Sequence, residues 1–128
     1  MGRMPAGTRD WLFRLCAAGF LAGAIYHAVG LVRPDWLVFQ PAWRHALFVA
    51  LNLAFAVGFL YRPRWFPWVF AILTAEQLYG HGLRAAEIWG AEGRVDWPSV
   101  AVILGLPPML VLLFLDARKR GRERGGTP

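Results

Sequence analysis

The chain of 128 residues holds one cysteine, Cys16, which excludes an internal disulfide and leaves no CxxC pair for zinc or redox work. Charge is scarce as well: 17% of the residues are charged against 57% hydrophobic, and the mean hydropathy is +0.40. Soluble domains carry about 25% charged residues, so a soluble bundle would have to hide more apolar surface than this length can bury. HExxH and CxxCH are missing, no internal repeat is apparent, and no polar stretch is long enough for a separate soluble domain.

What is present is four apolar runs, which predict an all-α, polytopic membrane protein of four transmembrane helices in a compact bundle. The runs span 11–32, 42–61, 67–89 and 97–115, within a single domain followed by a basic tail over 116–128. Asp10 and Asp96 stand where helix N-caps belong; Arg33-Pro34 and Arg62-Pro63 stand where helices close. About 20 residues rising about 1.5 Å each cross a hydrocarbon core of about 30 Å, so all four runs are long enough. The seven tryptophans, at 11, 36, 43, 65, 68, 89 and 97, fall at or near the run ends, where an apolar ring with one donor suits the interface. Arg3 and Arg9 before the first run imitate a signal peptide, but its spanning length and the three runs after it predict a retained helix.

An even number of spans puts both termini on one side. That side collects Arg3, Arg9, Arg62, Arg64 and the cluster Arg118, Lys119, Arg120, Arg122 and Arg124, while the other has Arg33, Arg94 and Arg44 near a helix end. The positive-inside rule then places both termini in the cytoplasm and the chain in the cytoplasmic (inner) membrane. The basic tail follows an apolar run directly, so anionic headgroups, and not nucleic acid, are its expected partner. The 33–41 and 90–96 loops face outward, the second made acidic by Glu92 and Asp96.

Ionisable residues at membrane depth are costly unless they face protein, water or a partner charge. At about 100° per residue, Glu76, Gln77, Gly80, His81, Arg84 and Glu87 form one polar stripe on the third helix, with Phe70, Leu78 and Ala85 expected opposite. Under the same orientation His27 and His45 join His81 in the outer half, which predicts a shared outer chamber between helices one, two and three. Gly19, Gly23 and Gly30 offer the first helix a close-packing face beside His27, and Asn52 a brace across the bundle. Pro107 and Pro108 free the carbonyls of Ile103 and Leu104 and are expected to bend or loosen the fourth helix.

These groups support several functions. The foremost is binding of a membrane lipid or amphiphilic small molecule through His27, Asn52, Gln77, Arg84 and Glu87, or service as an accessory subunit in a homo-oligomer or larger membrane complex. A second is acid–base chemistry on a lipid-like substrate by Glu76 and His81. A third is coordination of a metal or haem, with His27, His45 and His81 as candidate ligands, although no motif names a cofactor. Transport would require oligomerisation, since four helices leave no room for an internal repeat architecture.

Overall fold

The computed structural model describes residues 6–33 and 41–125, and every regular element among them is helical: α1 (Ala6–Val32), α2 (Ala42–Tyr61), α3 (Phe66–Glu92) and α4 (Trp97–Gly125). Trp36, Arg3 and most of the 33–41 loop lie outside the described residues. Three helices, α1, α2 and α4, are long and apolar enough to cross a membrane. The remaining helix, α3, has the length but is not among the three, and it carries Glu76, Arg84 and Glu87 within its run.

The termini of the elements follow from local chemistry. Asp10, expected as an N-cap, sits inside α1, and its carboxylate pairs instead with Arg62 at 3.0 Å. Arg62 closes α2 in the left-handed region (φ 48°), donating its N–H to Gly58 O at 2.7 Å. A non-glycine residue at positive φ is unfavourable; here its side chain is held by Asp10 and by the Phe13 ring, 4.6 Å away. Gly93, at φ 64°, closes α3 at no such cost. Asp96 caps α4 as expected, its backbone oxygen accepting from Val100 N–H at 3.0 Å. The last helix then runs on to Gly125 instead of ending near Leu115. Its basic end is helical because arginine and lysine are good helix formers and because Arg120 reaches Asp116 (2.8 Å) and Lys119 reaches Glu123 (3.7 Å) one turn away. It remains one helix through Pro107 and Pro108.

The helices form two antiparallel hairpins, α1 with α2 and α3 with α4. In the first, α1 buries Phe13, Cys16, Ala17 and Ala24, the second and third lying three and four residues after Phe13 and the last seven after Ala17, which keeps one face turned inward; Gly30 is buried near the end of the helix. Contacts along that face climb in register: Phe13 meets Phe59, Phe20 stacks on Phe59 and tilts against Phe55, and His27 reaches Phe48 and His45. Two glycines are required by this ladder. A Cβ on Gly23 would lie 2.6 Å from Asn52 Oδ1, and one on Gly30 would lie 2.6 Å from the His45 ring. Gly19, expected to share this close-packing role, is exposed and has nothing within 4 Å of where its Cβ would be.

The second hairpin pairs Trp68 with Phe114 in an edge-to-face contact of 5.1 Å near one end, and His81 with Ser99 near the other. Its register repeats that of the first, although few corresponding residues are identical. His27 and His45 are 18 residues apart, as are His81 and Ser99, and each member of the first pair precedes its counterpart by 54 positions. At the same offset, buried Phe13, Cys16 and Phe59 correspond to buried Pro67, Phe70 and Leu113, and exposed Trp11 and Trp43 to exposed Trp65 and Trp97. The repetition lies in burial and in a few identical residues, among them Trp11 and Trp65, Trp43 and Trp97, His27 and His81, while most other corresponding side chains differ.

Candidate functional site

Polar chemistry is concentrated in each hairpin near its connecting loop. In the first, the sequence sets His27 and His45 on facing stripes of α1 and α2, and their Nδ1 atoms lie 3.1 Å apart. One ring donates and the other accepts, since two unprotonated nitrogens would repel at that distance. Neither ring is loosely held: His27 stacks on Phe48 with centroids 4.9 Å apart and takes the edge of Tyr26, while His45 is buried in the notch left by Gly30. Asn52, expected to hydrogen-bond across helices, donates instead to Phe48 O of its own helix at 2.7 Å, with its carbonyl oxygen lying over Gly23.

In the second hairpin the polar stripe of α3 divides lengthwise. Gln77, His81 and Arg84 are half-buried, whereas Glu76, Gly80 and Glu87 are exposed. Phe70, expected on the opposite face, is fully buried and belongs to the half-buried edge: six residues before Glu76 is about 120° around the helix, between Gln77 and His81. Glu76 bonds its chain neighbour Gln77, and the bond of His81 goes elsewhere.

That bond starts a short chain. His81 Nδ1 lies 2.9 Å from Ser99 Oγ, and Ser99 Oγ donates to Asp96 Oδ2 at 2.6 Å. A hydroxyl has one proton, and an ionised carboxylate only accepts, so the serine proton is committed to Asp96. Ser99 must then accept from His81. This fixes the tautomer: Nδ1 carries the hydrogen, and the Nε2 lone pair is left to accept a proton or bind a ligand. Ser99 is wholly buried and Asp96 8% exposed, so the anchor is rigid and largely dry. Arg84, with its side chain 40% exposed, approaches the same Asp96 oxygen at 3.7 Å, a loose pairing that leaves most of its donors available. In the adjoining loop, Arg94 bonds Glu92 and holds its carboxyl below the usual range.

Of the predicted residues, the folded hairpins thus join His27 to His45 and set His81 and Arg84 around Asp96 and Ser99. Among the described residues no three histidine, cysteine, aspartate or glutamate side chains converge as a metal site. Sequence reasoning missed Ser99, although DWPS carries the signal: a capping aspartate followed three residues later by a hydroxyl. It also missed Asp116, a carboxylate 1% exposed beside Arg120. The chain matches no known protein family, and comparison with the curated proteins and with the solved structures yields no match.

Proposed function

We propose that the chain is a four-span protein of the inner membrane, with both termini in the cytoplasm, that binds the polar head of a membrane lipid or other amphiphile near the outer ends of its hairpins. The observation that carries this reading is the graded cluster at the α3–α4 end. Buried Ser99 and Asp96 form its base; half-exposed His81 and Arg84 present a lone pair and a guanidinium from it. An apolar protein that maintains a dry carboxylate to orient two polar groups incurs a cost, and ligand recognition gives that cost a use. Gln77 and Glu87 flank the cluster on α3, and His27, His45 and Asn52 form the corresponding polar joint of the first hairpin. Assembly as a homo-oligomer or in a larger complex is compatible with the same surfaces.

The test is to purify the full chain in mild detergent and identify by mass analysis what accompanies it. Arg84→Gln and His81→Gln are expected to reduce the retained amphiphile by about tenfold or more, the scale of one lost charge-assisted hydrogen bond. Glu92→Gln, at the C-terminal end of α3, serves as the folded control. Equal retention in all three variants rejects the site. A second reading, acid–base chemistry on the bound molecule, is favoured by the tautomer of His81, whose Nε2 is the basic atom. In that reading Glu76 and His81 act as separate groups, because Glu76 bonds Gln77. A product that disappears with His81→Gln while binding persists would support it; unchanged product would reject it.

A further inference from the structure

At the other end of the second hairpin, a cavity of about 330 Å³ is lined by Arg64, Pro67, Trp68, Phe114, Ala117 and Arg118. Its composition is divided. Trp68 and Phe114, edge to face at 5.1 Å, give it an aromatic floor with Pro67 and Ala117, while one arginine stands on the α3 side and one on the α4 side. Neither arginine has an ion-pair partner among the described residues, and both are exposed. The nearest acid on α4, Asp116, is engaged with Arg120. The N-terminal end of α3, which begins at Phe66, adds its own positive potential to the same place.

We infer that this cavity binds the phosphate of an anionic phospholipid, with Arg64 and Arg118 on the headgroup and the first acyl carbons against Trp68 and Phe114. Guanidinium groups match phosphate oxygens in a planar, two-pronged geometry, and the volume lies in the range of small-molecule sites. Two unneutralised arginines over an aromatic floor suit a ligand that is anionic at one end and apolar at the other. The inference rests on the proposed topology, which sets this end at the cytoplasmic surface, where anionic lipids are concentrated. The site is separate from the His81 cluster in residues, and its ligand is distinguished by charge.

Native mass spectrometry of the full chain in non-ionic detergent, titrated with phosphatidylglycerol or phosphatidylcholine, reads the site directly. The expected result is a preference of about tenfold or more for phosphatidylglycerol, abolished in Arg64→Gln/Arg118→Gln, partly kept in Arg64→Lys/Arg118→Lys, and unchanged in the tail variant Arg122→Gln/Arg124→Gln, which leaves the Arg120–Asp116 pair in place. Equal binding of the two lipids overturns the inference, as does equal loss in the tail variant. Displacement of the lipid by inorganic phosphate alone at matched concentration overturns the lipid assignment in favour of a free-anion site. Carbonate extraction of cell membranes reads insertion independently. A chain released by carbonate that still prefers phosphatidylglycerol would condemn the membrane reading and keep the site; an inserted chain without the preference would do the reverse.

Discussion

Ser99 has a single proton and two neighbours able to bind its oxygen, and much of the second hairpin's polar end depends on how that proton is committed. Replacing it by alanine leaves a buried carboxylate oxygen without its donor and an imidazole N–H without its acceptor. Ser99→Ala is therefore expected to cost about 1–3 kcal/mol, read as a lowered thermal midpoint in detergent. The first hairpin offers a steric test of the same size. Gly30→Ala forces a methyl against the buried His45 ring and should cost about 1–3 kcal/mol. Gly19→Ala, in open space on the same helix, should leave the midpoint unchanged or raise it; identical effects at the two glycines would refute the packing account. At this scale the sequence was legible in part. Periodicity and depth drew attention to His27, His45, His81 and Arg84, but partner choice depends on which stripe of a neighbouring helix comes opposite. That is why His45, Ser99 and Asp96 could not be assigned as partners beforehand.

Among the elements, α3 is the one on which the topology turns. Its length suffices to cross the membrane, and its charge resists the crossing. If α3 spans, the loop joining it to α4 emerges on the outer surface. A cysteine at Glu92 in a Cys16→Ala background should then react with a membrane-impermeant thiol reagent applied from outside, and one at Trp65 should not. Reaction of both from the same side would show that α3 does not cross. The bounds of α2 were readable because prolines at 41 and 63 bracket it. Those of α4 were not, because hydropathy stops at the last apolar residue, whereas a helix continues as long as its side chains favour it. The prolines at 107 and 108 show the converse: their local cost is clear in sequence, but whether a helix absorbs it depends on its surroundings.

For the whole molecule, the proposed topology of four spans puts both termini in one compartment, because an even number of crossings returns the chain to its starting side. Reporter fusions at residues 1 and 128 are expected to be active together in the cytoplasm; opposite responses would reduce the spans to three. The shared register of the two hairpins left only a sparse trace in the sequence, notably two tryptophan pairs and one histidine pair at a constant offset, because most corresponding buried positions carry different side chains.

That shared register has an electrical consequence. At one position of the hairpin joint stands His45, at its counterpart Ser99. The first joint closes between two equal imidazoles that share one hydrogen bond, with no carboxylate in the pair. The second passes through a hydroxyl to a carboxylate with an arginine beside it, a fixed dipole with a direction. Three differences at corresponding positions, His45 to Ser99, Ala42 to Asp96 and Gly30 to Arg84, thus separate a latch from an antenna, and only the antenna has a polarity for a charged ligand to read.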